Sequence, residues 1–217
     1  KAQSLVGMAV AGQRAMAGTA ALATGGRQAV TPRALVVGGG AAGLTAARTL
    51  AGLGVAVDLV ERTAALGGQW RHIRHQADGS DPQAALAALV AAVEADERIR
   101  VHLEAEVAAV AGTAGAYRTT VSGPAGTETV AHGALVVATG GGPAATEEYL
   151  AGEDPRVLTQ RQLEEQLAEG TLAVAQRVVM IQCVGSREPE RPYCSRVCCT
   201  QAVKNALALK AQRPEVE

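Results

Sequence analysis

The segment ALVVGGGAAGLTAARTLAGLGVAVDLVE constrains the fold more than any other stretch of the chain. A short apolar run, Ala34 to Val37, ends in three glycines. A helix-like run, Ala41 to Leu53, follows and is ended by Gly54. A second apolar run covers Val55 to Val60. Strand, helix and strand within about 30 residues make the minimum parallel crossover, so a parallel sheet is expected. Gly38, Gly40 and Gly43 form G-x-G-x-x-G at the first strand–helix turn, with Ala42 inside the motif. The first glycine permits the tight turn, the second lets the backbone approach a pyrophosphate, and the third allows close helix–strand packing. The helix N-terminus would direct free N–H groups and a partial positive charge at the phosphates. Glu61 closes the second strand, 18 positions after Gly43, where an acid binds ribose hydroxyls. The bland alternative is a structural turn with Glu61 in solvent.

The rest of the chain alternates between helical and strand patterns. Ala2 to Ala17 reads as a helix, and Gly18 to Pro32 as a linker. Asp81-Pro82 opens a helix running to about Glu97, with Leu86, Leu89, Val90 and Val93 on one face. A run of short strands follows: Ile99–Leu103, Val107–Val110, Tyr117–Val121 and Thr127–Val130, with a turn at Gly123-Pro124-Ala125-Gly126. Leu135 to Ala138 returns as a buried strand before Thr139-Gly140. Arg161–Ala168 is expected as a helix, Arg177–Gln182 as a strand and Thr200–Ala211 as a helix. Hydrophobic residues make up 48% and aromatics 2%, so the core must be built from Ala, Val and Leu, which suits closely packed α/β layers. A formal net charge of −1 gives no electrostatic case for nucleic acid or an anionic membrane. No apolar run is long enough for a membrane span, and no signal-peptide pattern is seen at the start. The chain begins with Lys1, and its last motif stops soon after it starts, so it is expected to be a fragment of a longer protein.

Past Glu61 the chain reads ERTAALGGQW, and Gly67-Gly68 would let it return close to a cofactor without side-chain clash. The helix, the small strand meander and the later VVATG follow in order. This arrangement resembles the two-dinucleotide-domain flavoproteins of the thioredoxin reductase type. The resemblance implies FAD rather than NAD, held by the acid–GG and ATG segments. The expected contacts are Gly38, Gly40, Ala42, Gly43, Glu61, Arg62, Gly67, Gly68, Val107, Thr139 and Gly140. Arg62 would stack on adenine or cap a phosphate, or else stand in solvent. His72 and His75 form H-x-x-H in a polar stretch with no carboxylate or cysteine partner nearby, so they are expected as loop residues. The fold expected is α/β: a Rossmann-like, three-layer, two-dinucleotide-binding flavoprotein fold with a small β meander and a truncated start of a second Rossmann-like domain. The division expected is 1–32 helix and linker, 33–170 FAD-binding domain and 171–217 start of the second domain.

All four cysteines, Cys183, Cys194, Cys198 and Cys199, fall within 17 residues. Such clustering fits a reducing compartment, where thiols serve as ligands or redox groups. The spacing C-x10-C-x3-C-C leaves three readings open. Four thiolates converging before a helix N-terminus would hold an iron–sulfur cluster. Cys194-x3-Cys198 has the spacing of a zinc knuckle, though the other two cysteines form no second one. Cys198-Cys199 at a helix start would have lowered pKa values and act as redox thiols.

VVMIQCVGSREPERPYCSRVCCTQAVKNALALK resembles the signature of the A-type subunit of heterodisulfide reductase and its bacterial relatives, and ALVVGGGAAGLTAARTLAGLGVAVDLVERTAALGGQW resembles that family's flavin-binding start. KAQSLVGMAVA is similar to the helix that precedes it. The resemblance implies that Cys183, Cys194, Cys198 and Cys199 hold a [4Fe-4S] cluster. It also implies that Lys204, five positions after the last cysteine, lies near the flavin ring; without it, Lys204 reads as a surface helix residue. The function implied is electron transfer between FAD and the cluster in a cytoplasmic, multi-subunit complex, with bifurcation at the flavin in some members. The partners implied are other subunits and a donor such as a ferredoxin or a hydrogenase or dehydrogenase subunit, with a homodimer as a further expected assembly. The ferredoxin-like C-x2-C-x2-C-x3-C clusters of many members are absent from this sequence. The competing functions are a pyridine-nucleotide-disulfide reductase using Cys198 and Cys199, and a zinc-stapled nucleotide-binding scaffold.

Overall fold

The computed structural model describes residues 29–217. The helix expected over Ala2–Ala17 and most of the linker lie outside the described residues. The parallel sheet forms as expected. Strands β1 (Arg33–Val37), β2 (Ala56–Val60), β3 (Ile99–His102) and β7 (Ala134–Val137) lie in the order β3-β2-β1-β7, all parallel. Helix α1 (Ala41–Gly52) connects β1 to β2, and α2 (Pro82–Glu94) precedes β3. Asp81 caps α2 by accepting from the backbone N–H groups of Gln83 and Ala84, and Pro82 occupies the first turn, where its missing N–H costs nothing. The middle strands β4 (Glu106–Thr113), β5 (Ala116–Gly123) and β6 (Gly126–His132) form a separate antiparallel sheet in sequence order. Pro124 and Ala125 make the β5–β6 hairpin turn, with Gly126 at φ +106.

The alternation of side chains across β1 explains the three layers. Val36 joins Leu44, Ala47, Val57, Leu59, Leu86, Val93 and Ile99 in a core between the sheet and its helices. Leu35, one residue away, faces Val60, Ala105, Val121 and Val130 on the meander side. A third cluster lies further along the chain, where α3 (Gln160–Glu169) meets α4 (Cys198–Gln212) through Leu163, Leu167 and Leu209. Among the described residues no helix is long and apolar enough to cross a membrane.

Two expectations change. Ile99–His102 is not part of the meander but an edge strand of the parallel sheet, paired with β2 from Val57↔Ile99 to Val60↔His102. Arg177–Gln182 forms no strand. Its segment exchanges two backbone hydrogen bonds with the chain end, Val178 N–H to Glu217 O at 2.8 Å and Glu217 N–H to Gln176 O at 2.9 Å. Val179 is 83% exposed, so the apolar side chains here are not sandwiched as a parallel strand requires.

A buried ionic network ties the sheet to the meander. Asp58 on β2 has no exposed surface and accepts from Arg33 at 2.8 Å and from His102 Nε2 at 2.8 Å. His102 Nδ1 lies 3.0 Å from Glu128 of β6, which also pairs with Arg100. Burial pushes the Asp58 carboxyl up, but the hydrogen bonds and charges of His102 and Arg33 outweigh it and hold it below the ordinary value. A carboxyl depressed in the native state adds stability above its unfolded-state pKa, and that stability is lost as pH falls through the native value. Replacing Asp58 with Asn is therefore expected to lower the urea midpoint near neutral pH and to flatten its fall below about pH 4. Equal acid sensitivity in both proteins contradicts this.

Candidate functional site

The glycine-rich turn is built to be approached by a ligand at one point and to be packed solid at two others. A Cβ on Gly38, whose φ is +108, would lie 2.3 Å from Ala138 O, and one on Gly43 would lie 1.8 Å from Gly38 O. Those two glycines close the turn onto β7 and onto itself. A Cβ on Gly40 meets nothing within 4 Å, so this residue borders open space. Gly40 is also the N-cap of α1 and offers no side-chain cap, leaving the first-turn N–H groups, including that of Ala42, for an anion.

Three expected segments meet at this turn. Gly67 N–H donates to Gly39 O at 2.7 Å, and Gly67 pairs with Gly40 as an isolated parallel bridge. The glycine pair thus brings its loop directly onto the phosphate turn, with Gly67 at φ +111 and Gly68 at φ +50. Glu61 is buried and accepts from Gly39 N–H at 2.7 Å and from the N–H and hydroxyl of Thr63 at 2.8 Å each. Burial pushes its carboxyl up, yet the hydrogen bonds from Thr63 and Gly39 and the charge of Arg62 bring it below the ordinary value, so it is ionised. Thr139 Cα lies 3.1 Å from the position a Gly38 Cβ would take, which places the ATG segment against the turn. Gly140 follows at φ +64. Arg62 is exposed. Val107 sits on β4 and packs on the core cluster between sheet and meander. Trp70 packs on the helix-side core.

Lys204 is buried, contrary to the surface position its sequence context implies. Its Nζ donates to Glu164 Oε1 at 2.6 Å and to His75 O at 3.0 Å. Glu164 has no exposed surface and also accepts from Arg74 N–H at 2.7 Å and Gln201 Nε2 at 3.2 Å. Burial pushes Glu164 up, but Lys204, Arg74 and Gln201 together hold it below the ordinary value, so the pair is ionic. The H-x-x-H histidines do have carboxylate partners: His72 Nδ1 lies 2.9 Å from Glu165 Oε1 and His75 Nδ1 3.8 Å from Glu164 Oε1. Those carboxylates lie roughly ninety positions downstream, beyond the reach of local pattern reading. Arg161 also pairs with Glu165, at 3.1 Å.

Cys198 and Cys199 do not precede α4 but are its first two residues, behind Val197, which gives no side-chain cap. Cys183 and Arg196 both take φ +62, a left-handed backbone that shapes the loop between them. Arg196 N–H donates to Cys194 Sγ at 3.3 Å. The Cys199 thiol is pushed above the ordinary cysteine value, first by the charge of Cys198, then by desolvation and by Cys183 and Cys194. The lowering expected at a helix start is thus reversed at Cys199. Four free cysteine thiols are the donor type that an iron–sulfur cluster takes, so the residues fit such a cluster by their chemistry. Among the described residues no group of three or more His, Cys, Asp or Glu has the geometry to hold a single metal ion.

A parallel sheet with a glycine turn, an acid and an ATG-type segment meeting at its strand ends defines a flavoprotein-type, Rossmann-like oxidoreductase domain. The sequence pattern described as pyridine nucleotide-disulphide oxidoreductase matches residues 32–181, and the chain belongs to that family. The A-type subunit of the H(2):CoB-CoM heterodisulfide,ferredoxin reductase of Methanothermobacter thermautotrophicus is 36% identical over 101 residues, 39% of this chain and 15% of that protein. The corresponding subunit of the H(2)/formate:CoB-CoM heterodisulfide,ferredoxin reductase of Methanococcus maripaludis is 56% identical over 43 residues, 19% of this chain and 6% of that protein. The matches thus span a small part of the curated relatives. The L-proline dehydrogenase of P. horikoshii shares the fold at a TM-score of 0.50 and 20% identity, covering 69% of this chain and 31% of that one.

Proposed function

We propose that this chain is the FAD-binding part, 33–170, and the start of a second Rossmann-like domain, 171–217, of an electron-transfer protein like the A-type subunit of heterodisulfide reductase. The observation that supports this reading most is the meeting of the glycine turn, Glu61 and the Gly67–Gly68 loop at one point, on a chain whose four cysteines include the first two residues of the helix that bears Lys204. When bound, FAD would take up electrons in pairs and a [4Fe-4S] cluster would carry them singly. Gly38, Gly40, Ala42 and Gly43 would receive the pyrophosphate on backbone N–H groups at the α1 N-terminus. Glu61, already ionised and fixed by Thr63 and Gly39, would accept from the ribose hydroxyls. Gly67, Gly68, Thr139 and Gly140 would give the cofactor close backbone approach, with Arg62 and Val107 at its margins. Cys183, Cys194, Cys198 and Cys199 would hold the cluster. Lys204, positioned by Glu164, would place an ammonium where negative charge develops on the flavin. The reading is completed by a cytoplasmic setting, partner subunits, self-association as a homodimer and bifurcation at the flavin. Its electron donor would be a ferredoxin, or a hydrogenase or dehydrogenase subunit.

Replacing Cys183 with Ser in the full protein, purified without oxygen, is expected to remove most of the iron and acid-labile sulfide while FAD stays bound. Full retention of iron argues against the cluster. Zinc without sulfide in the parent protein favours the scaffold reading instead.

A further inference from the structure

Glu61, the acid that follows β2, is held by more than its own loop. The segment that leaves β3 straps over it. Glu61 N–H donates to His102 O at 2.9 Å, and Ala105 N–H donates to Glu61 O at 3.0 Å. Glu104 turns the strap on a left-handed backbone, φ +50, and its N–H donates to Thr63 O at 3.1 Å. Thr63 in turn fixes the Glu61 carboxylate through its own N–H and hydroxyl. Residues 102–105 therefore set both the Glu61 backbone and the threonine that aims its carboxylate.

The strap starts from a strand that backbone pairing alone holds weakly. Strand β3 has four residues and lies at the edge of the parallel sheet, paired there with β2 alone. The ends of such strands open at low free energy. His102, the last residue of β3, is pinned from two sides by its side chain. Its Nε2 lies 2.8 Å from Asp58 Oδ1, and its Nδ1 lies 3.0 Å from Glu128 Oε1. The imidazole is 9% exposed and Asp58 has no exposed surface, so water competes little for these contacts. Both carboxylates are anchored in turn, Asp58 by Arg33 and Glu128 by Arg100. Asp58 belongs to β2 and Glu128 to β6, so the ring ties the end of β3 to both sheets.

We infer that His102 is a positioning residue for the cofactor: its imidazole, clamped between Asp58 and Glu128, holds the 102–105 strap and through it the aim of Glu61 at the ribose hydroxyls. The inference rests on the flavin reading, which is what gives Glu61 a ribose to bind.

The test titrates the full protein, freed of its cofactor, with FAD and with the FAD analogue whose adenosine ribose lacks both hydroxyls. The parent protein is expected to bind FAD at least about tenfold more tightly than the analogue, as hydrogen bonds to a carboxylate allow. His102→Leu should weaken FAD while leaving the analogue nearly unchanged, bringing the two within about threefold of each other. His102→Gln keeps an N–H donor for one carboxylate and should restore part of the difference. Adding Glu61→Gln to His102→Leu should change the ratio no further, since the two residues act in series. Where His102→Leu does not fold, Glu128→Ala releases the ring from its more exposed side, and the ratio should fall there too. An unchanged ratio, or equal weakening of both ligands, overturns the inference and leaves the flavin reading standing. A parent protein that binds FAD and the analogue equally also overturns the inference, and one that binds neither overturns the flavin reading with it.

Discussion

Replacing Glu164 with Ala is expected to destabilise the protein by about 3–5 kcal/mol, the cost of breaking one partner of a buried ion pair. The carboxylate has no exposed surface, and four groups donate to it or face it: Lys204, the Arg74 N–H, Gln201 and His75. Its loss leaves a backbone N–H and an amide without their acceptor and leaves the Lys204 ammonium with only the His75 carbonyl. Because these donors come from the loop at 74–75 and from α4, the loss also loosens both from α3. The double variant Glu164→Leu with Lys204→Met is expected to recover part of this, since two apolar side chains replace the pair without a buried charge. What remains is the Arg74 N–H and the Gln201 amide without their acceptor, about 1–3 kcal/mol for each that stays buried. Urea unfolding of the three proteins measures both differences. A Glu164→Ala variant within about 0.5 kcal/mol of the parent, the range of an ordinary surface substitution, contradicts the account of this cluster.

The second large effect separates two glycines of one motif. A Cβ on Gly43 would sit 1.8 Å from Gly38 O, so Gly43→Ala must displace the backbone where α1 leaves β1. It is expected to cost about 1–3 kcal/mol or more in stability. A Cβ on Gly40 meets nothing within 4 Å, and its φ of −79 suits any residue. Gly40→Ala should therefore fold and melt like the parent protein while losing FAD affinity by about ten- to a hundredfold, through blocked charge-assisted contacts to the pyrophosphate. Thermal unfolding and FAD titration, run on both variants of the full protein, report the two effects separately. Unchanged FAD affinity in Gly40→Ala contradicts the placement of the cofactor at this turn.

The β1–α1–β2 unit is legible in the sequence because its signals are local: apolar runs, a glycine turn and an acid at a fixed distance. The meander is legible for the same reason, with strand alternation and a Pro-containing turn between β5 and β6. The place of Ile99–His102 is not, because four residues of strand pattern do not say which sheet will accept them; that depends on pairing with β2. Arg177–Gln182 has the composition of a strand but lacks, among the described residues, the neighbouring ladder that makes one. The role of Glu164 is hidden because QRQLEEQLAE reads as an exposed amphipathic helix, and its neighbour Glu165 does pair near the surface. What buries Glu164 is a lysine 40 positions away and a loop 90 positions away, contacts that no window of sequence contains. The start of α4 lies two residues earlier than its sequence pattern indicates, because Val197 carries no capping side chain to mark it. Lys204 stands out only through resemblance, since a lysine in a helix ordinarily lies in solvent.

The most direct test of the central claim is the iron, acid-labile sulfide, zinc and FAD content of the full protein purified without oxygen. About four iron, four sulfide and one FAD per chain is the result the four-thiol site and the glycine turn predict. Zinc without sulfide, or thiols that titrate freely with no metal bound, contradicts it.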